Sequence, residues 1–354
     1  MSAASLPFDT SPEKRATVRA TLWRQFFVAA SPVEGIDLKG KTAVVTGSSG
    51  GIGLETARQL LGLGLSRLIL AVRNLDKGQK ARSALLSNHG LPETVIDVWE
   101  LDLLSYNSIT AFAQRATTLD RLDIAVLNAG VFKQKFELIN HHGPSPSPSH
   151  EEAIQVNVLS NTLLSALLLP VLRPRDLSHG PGRLVVVSSD VTSFAKFKER
   201  NNRPLLPSLN NPETFSQWER YCTSKLLGLL AITELARRVD PASVIITLPS
   251  PGLVYGTNLG HLTVPNIGDR IGDVLKRIFG RHVSVGTRTI TAAAVMFGPE
   301  AHGQFVEDGK LQPLPPFAYQ AEGERVSKLL WDEIMNEPPF ATVKDVLKEL
   351  RPSS

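Results

Sequence analysis

The chain is 354 residues long, with 42% apolar and 20% charged residues, a single cysteine and a formal charge of +4. That balance suits a soluble globular protein that buries one large core or two ordinary ones, and the scattered lysines and arginines form no basic stripe for a nucleic acid. Cys222 alone excludes an internal disulfide framework and a cysteine-based metal site, in keeping with a reducing, cytoplasmic setting.

Residues 1–38 read as an N-terminal arm. Within it Val18, Leu22, Trp23 and Phe26 fall at helical spacing among Lys14, Arg15, Arg19 and Arg24, which predicts an amphipathic helix over 14–29. Packing of its apolar face on the body is the first role for such a helix; peripheral membrane contact or a cover over the substrate is the second, and disorder or targeting the third. Charge interleaved with the apolar residues argues against a signal peptide. No transmembrane segment is expected, because the apolar stretch 158–172 is interrupted by Ser160, Asn161, Thr162, Ser165 and Pro170.

From Lys41 onward, β-rich runs alternate with helical patterns. Strands are predicted near 42–46, 67–72, 94–99, 123–127, 183–188, 243–248 and 303–306, and helices near 51–64, 75–87, 106–118, 150–171, 218–237 and 321–336. The alternation predicts a single doubly wound parallel sheet with helices on both faces, a Rossmann-type α/β domain over 39–338, followed by a C-terminal tail at 339–354. Two stretches break the rhythm. His142–His150, rich in Pro and Ser, reads as a surface loop, and 194–217 reads as a mobile cover leaving the carboxyl edge of the sheet over a substrate site.

The first strand runs into Thr-Gly-Ser-Ser-Gly-Gly-Ile-Gly at 46–53. Gly47 permits the sharp exit, and Gly51 and Gly53 let the next helix begin close to a pyrophosphate, so the backbone N–H groups of Gly47, Ser48, Ser49, Gly51, Ile52 and Gly53 would hold phosphates. The second strand ends in Arg73, where many NAD-binding folds carry an acid for the ribose hydroxyls. Arg73, assisted by Lys77 and the Ser48 hydroxyl, would instead attract a 2′-phosphate, which points to NADP(H). Farther along, Tyr221 and Lys225 stand at i and i+4 of a helix, where the cation favours the phenolate and makes the tyrosine a usable acid or base. The turn and the pair together suggest a nicotinamide-dependent oxidoreductase.

Adding Asn128-Ala129-Gly130 after the fourth strand, Val187-Ser188-Ser189 ending the fifth and Pro251-Gly252 after the sixth, the chain from Lys39 to about Pro338 resembles the short-chain dehydrogenase/reductase family. Within it the chain is most similar to the retinol-dehydrogenase-like branch and to fungal reductases of secondary-metabolite pathways, through Ala71-Val72-Arg73-Asn74 and the long segment before Tyr221. The resemblance implies Tyr221 as proton donor or acceptor and Ser189 as a hydrogen bond to the same oxygen. It implies Lys225 as a tuner of Tyr221 and holder of the nicotinamide ribose, and Asn157 as support for a water beside Lys225. It further implies Asp102 near the adenine, Asn128 at the adenosine ribose and Val254 near the carboxamide. Thr257 lies one residue beyond the usual spacing for a carboxamide contact. Val158-Leu159-Ser160-Asn161 departs from the retinol branch.

The expected activity is therefore an NADP(H)-dependent ketone or aldehyde reductase acting on a hydrophobic small molecule, with no metal and as a homo-oligomer or monomer. The alternatives are an NAD-dependent alcohol dehydrogenase of the same fold and a non-catalytic dinucleotide-binding regulator. Tyr255, Leu259, Phe194 and Trp218 are candidates for the substrate wall.

Overall fold

The computed structural model describes residues 8–140, 147–174, 176, 180–257 and 279–350. Its main sheet has eight strands: β1 (Thr42–Thr46), β2 (Arg67–Val72), β3 (Ile96–Glu100), β4 (Ile124–Leu127), β5 (Gly182–Val186), β6 (Val244–Ser250), β7 (Gln304–Glu307) and β8 (Lys310–Gln312). They lie in the order β8-β7-β6-β5-β4-β1-β2-β3, and every neighbouring pair is parallel except β7 with β8. The order reverses between β1 and β4, so a crevice opens beyond their carboxyl ends, which is where open α/β sheets bind ligands.

Side chains alternate along each strand and feed two cores. Val44 points into one core with α5 (Tyr106–Ala116), α6 (Glu152–Leu172), α7 (Gln217–Ala236) and α9 (Ala321–Met335), whereas Ala43 and Val45 point into the other with α3 (Gly51–Gly62), α4 (Leu75–His89) and α8 (Val283–Val295). By length and composition α6 could cross a membrane, but most of it is buried between the sheet and its neighbouring helices. Residues Gln155–Ser160 of α6, which include Asn157, form a π-helical turn.

Several expectations are corrected here. Helix α8 has no counterpart in the sequence reading, because Val283, Val285, Thr287, Thr289, Ile290 and Thr291 are β-branched and Gly286 interrupts them; burial of Thr287, Ile290 and Ala294 overrides that local preference. The segment expected as a tail carries α10 (Val343–Glu349), whose Val343 and Leu347 join the first core. Of the expected surface loop, 142–146 lie outside the described residues, while Ser147 and His150 are buried on the Glu337 carboxylate at 2.9 and 3.0 Å.

The segment before α7 is pinned rather than free. Phe197, Leu205, Leu206 and Leu209 are buried in the first core. The Glu333 carboxylate of α9 accepts the N–H groups of Leu205 and Leu206, each at 2.7 Å, and Glu219 accepts those of Lys196 and Phe197 at 2.7 and 2.8 Å. Four large apolar side chains and four charge-assisted hydrogen bonds hold it as part of the body.

The arm forms α1 (Pro12–Arg15) and α2 (Val18–Phe27), and α2 docks with the opposite face to the one its pattern suggests. Val18, Leu22, Trp23, Phe26 and Phe27 are exposed. The inward contacts are polar: Arg15 is 2% exposed and pairs with Glu307 at 2.6 Å, Arg24 reaches the same carboxylate at 3.0 Å, and Gln25 donates to Leu253 O at 2.7 Å. Arg281 completes the cluster, bonding Asp308 at 2.6 Å and Arg24 O at 2.7 Å.

Candidate active site

The turn after β1 is shaped by close approach. Gly47 has φ +64° and Gly51 φ +56°, in the left-handed region that favours glycine. A Cβ on Gly53 would lie 2.5 Å from Gly47 O and 2.7 Å from Asn128 Nδ2, so α3 starts nearer the strand end than any side chain allows. No side chain caps α3, which leaves its first N–H groups directed at the crevice. Ser48 is fully buried with its hydroxyl unpartnered; Ser49 is exposed and Ile52 half-buried beside it. Thr257 packs over the turn, since a Cβ on Gly51 would stand 3.4 Å from Thr257 Cβ. This glycine cradle, the orphaned Ser48 hydroxyl and the uncapped helix fit the pyrophosphate of a dinucleotide.

Asn128 ties the neighbouring strand to the turn: its Nδ2 donates to Thr46 O at 3.1 Å and its N–H to Thr46 Oγ1 at 3.0 Å. Arg73 is exposed at the end of β2 with no partner among the described residues, and Lys77 is exposed on the first turn of α4, whose N-cap is Asn74. Asp102 uses one carboxylate oxygen to accept the Leu104 N–H at 3.0 Å, the turn-forming contact open to it from its sequence position. Val254 is buried, paired in a short parallel ladder with Arg281 and against Gly286.

The four residues expected to carry chemistry converge beyond β4 and β5. Asn157, at the π-helical turn, donates to Val131 O at 2.9 Å and to Ser224 Oγ at 3.0 Å, and accepts the Val131 N–H at 2.9 Å. Lys225 Nζ donates to Val187 O at 3.1 Å. A Cβ on Gly130 would be 3.0 Å from Asn157 Oδ1 and 3.5 Å from Lys225 Nζ, so the glycine leaves room for both. Ser189 Oγ accepts the Val191 N–H at 3.4 Å, lies 3.3 Å from Asp190 Oδ1 and hydrogen-bonds Tyr221. Ser188 is buried and its hydroxyl has no partner among the described residues.

Burial governs the acid–base groups. It pushes the Tyr221 phenol above its usual range, reinforced by the charge of Asp190 and opposed by the Ser189 hydrogen bond, while Lys225 is pushed down to about 8. The expected depression of Tyr221 by Lys225 is thus absent in this structure: the ammonium turns to Val187 O, and its own burial weakens the charge it can offer. Cys222, beside Tyr221, is pushed up to about 12 by burial and is an inert thiol.

Aromatic rings wall the approach to Tyr221. Phe132 meets it edge-on at 5.0 Å and half-exposed Trp218 lies 6.5 Å away; apart from these, Phe136 packs on Phe215 at 5.8 Å. Of the expected wall, Trp218 is here, Phe194 ends the 3-10 turn that follows Ser189, Tyr255 meets His282 edge-on at 5.5 Å, and Leu259 lies outside the described residues. Phe132, Phe136 and Phe215 were not singled out in the sequence; the nearness of Phe132 to Asn128-Ala129-Gly130 is the one local sign that it borders the site.

Comparison with known proteins gives a consistent result. The short chain dehydrogenase family model matches residues 41–200. Short-chain dehydrogenase fogG of Aspergillus ruber is 43% identical over 353 residues, spanning 98% of this chain and 99% of its own length. Short chain dehydrogenase/reductase mfmJ of Annulohypoxylon moriforme is 39% identical, spanning 90% of this chain and 91% of its own. In fold, the chain is similar to the NADPH-bound carbonyl reductase from chicken fatty liver, with a TM-score of 0.55 and 18% identity over 77% of this chain and 100% of that one.

Proposed function

The chain belongs to the short-chain dehydrogenase/reductase family of oxidoreductases, and from that premise we propose that it reduces a ketone or aldehyde on a hydrophobic small molecule with NADPH. The observation that carries this reading is the convergence of Ser189, Tyr221, Lys225 and Asn157 beside the Gly47–Gly53 cradle. When bound, the dinucleotide supplies the hydride. Tyr221, kept protonated by burial, holds the proton for the carbonyl oxygen, and Ser189 donates to that oxygen as negative charge develops on it. Lys225 takes the ribose side, and Asn157 positions it indirectly by fixing the 128–131 loop through Val131. The aromatic walls support an apolar substrate. Its resemblance to fungal secondary-metabolite reductases, and the fungal sources of its relatives, support a place in secondary metabolism.

The preference for NADP(H) rests on the unpaired, exposed Arg73, with Lys77 one helical turn on, and is in keeping with the NADPH bound by the chicken reductase. The test is NADPH consumption across a panel of aryl and alkyl aldehydes and ketones, with cofactor affinity measured separately. Turnover of at least one carbonyl is expected; tight NADPH binding with none turned over would instead mean a dinucleotide-binding regulator. Arg73→Asp should narrow or reverse the preference for NADPH over NADH, and equal affinities unaltered by that change would remove Arg73 from cofactor selection.

A further inference from the structure

Asp190 directly follows Ser189 and has no part in the mechanism above. Its backbone N–H donates to Ser250 Oγ at 3.0 Å, which sets it at the head of a 3-10 turn (Asp190–Phe194) packed on α7. Ser250 is the register partner of Glu307, and Glu307 is the carboxylate held by Arg15 and Arg24 of the arm. The groups that face Asp190 are therefore Ser189 on its own segment, Tyr221 and Cys222 on α7, Glu307 on β7, Arg15 on α1 and Arg24 on α2. Burial and Glu307 raise its carboxyl above the usual range, and Arg15, the Ser189 hydrogen bond and Arg24 oppose that rise.

The conflict lies in the Ser189 hydroxyl, which owns one proton and two lone pairs. One lone pair takes the Val191 N–H, Asp190 Oδ1 stands 3.3 Å away, and the hydrogen bond to Tyr221 is given up when both hydroxyls turn to a substrate oxygen. A carboxylate there accepts the serine proton, leaving none for a substrate oxygen. A carboxylic acid there donates to the second lone pair, and the serine proton is free. We infer that Asp190 is a positioning residue that sets the direction of the Ser189 hydroxyl: protonated, it turns that hydroxyl toward the substrate oxygen, and ionised, it withdraws it. The arm belongs to the same device, because Arg15 and Arg24 counter the charge of Glu307 on Asp190. This rests on the carbonyl reduction proposed above; ionisation releases the Asp190 proton to solvent and reverses the Asp190–Ser189 hydrogen bond, and no covalent bond to carbon changes in it.

The test is the pH profile of carbonyl reduction from about pH 5 to about pH 9, well below the ionisation of the buried Tyr221; Lys225, held at about 8, titrates in this window in every variant, so the step read is the wild-type profile relative to that of Asp190→Asn. Wild type should show a fall in kcat of about 10²-fold or more as Asp190 ionises, the scale of losing one oxyanion donor. Asp190→Asn, whose amide does not titrate and can donate through Nδ2 at every pH, should lack that step, whereas Ser189→Ala should lack it because turnover is low throughout. Glu307→Gln should move the step to lower pH and Arg15→Met to higher pH, opposite shifts that a merely structural role does not produce. As a readout independent of turnover, the wild-type minus Asp190→Asn infrared difference should contain a protonated-carboxyl band that disappears over the same pH range. A wild-type enzyme that turns over no carbonyl would overturn the proposed function; an active enzyme whose step is absent, or persists unshifted in Asp190→Asn, would overturn the inference alone.

Discussion

Along the carboxyl edge of the sheet, the turn between β1 and α3 is made by close approach to backbone, with Gly53 against Gly47 O and the Asn128 side-chain amide donating to Thr46 O, all within segments close to their strands. At the β6–β7 end the edge is filled instead by side chains from remote segments: Arg15 and Arg24 of the arm, Arg281 before α8, and the acids Glu307 and Asp308. The first region presents N–H groups that cannot titrate. The second is a buried ionic cluster whose members share charge. A fold whose one end is set by backbone geometry and whose other end is set by charge separates the tolerance of the two: the turn fails by steric change, the cluster by loss of a single partner.

The sharpest way to divide the two regions is at Tyr221. Tyr221→Phe removes the proposed proton donor without touching the turn, so turnover should fall by about 10²–10⁴-fold while NADPH affinity, followed by fluorescence titration, stays within about twofold. Arg15→Met strikes the cluster. It leaves a buried carboxylate short of a partner and should lower stability by about 3–5 kcal/mol in denaturant titration, with Arg15→Met/Glu307→Gln recovering most of that loss. Equal stability of Arg15→Met and wild type would mean that Arg24 alone satisfies Glu307.

Gly53→Ala strikes the turn. Its Cβ would sit 2.5 Å from a carbonyl oxygen, so α3 must shift, and a stability loss of about 1–3 kcal/mol together with weakened NADPH binding is expected. If binding survives, the close approach of α3 serves packing rather than phosphate. The smallest effect is the pH dependence of Asp308, which burial and Glu307 raise to about 6 against the pull of Arg281. Because the folded value lies above the unfolded one, this carboxyl's contribution is fully present below about pH 4 and is lost as pH rises through about 6. The melting temperature of wild type relative to Asp308→Asn should therefore decline over that window.

The β1 turn was readable because its cause is local: Gly47, Gly51 and Gly53 are required by backbone angles and distances set within a few residues. The pair Tyr221 and Lys225 was readable for the same reason, one turn of one helix. Helix α8 was hidden by its β-branched residues, whose preference is reversed only when the second core buries them. The segment before α7 looked like a polar cover, since its lysines and arginines outnumber its leucines in the text; Glu333 and Glu219, which pin it, lie in other elements. The arm misled most. Its pattern marks an apolar face for burial, but Gln25, Arg24 and Arg15 find partners at Leu253, Glu307 and Asp308, and those specific contacts decide which side faces inward.

By itself the sequence determined the doubly wound sheet, the glycine turn and the residues available for chemistry, because strand alternation, helical spacing and glycine conformation are properties of neighbouring residues. Only the tertiary structure decided that Lys225 turns to Val187 O, that Phe132 and Trp218 wall Tyr221, and that the arm's arginines stand behind Ser189 through Glu307 and Ser250. Lys225 meets Val187 across 38 positions and Arg15 meets Glu307 across 292, and a buried charge takes whichever partner the packed fold brings within hydrogen-bonding distance, which no local pattern encodes.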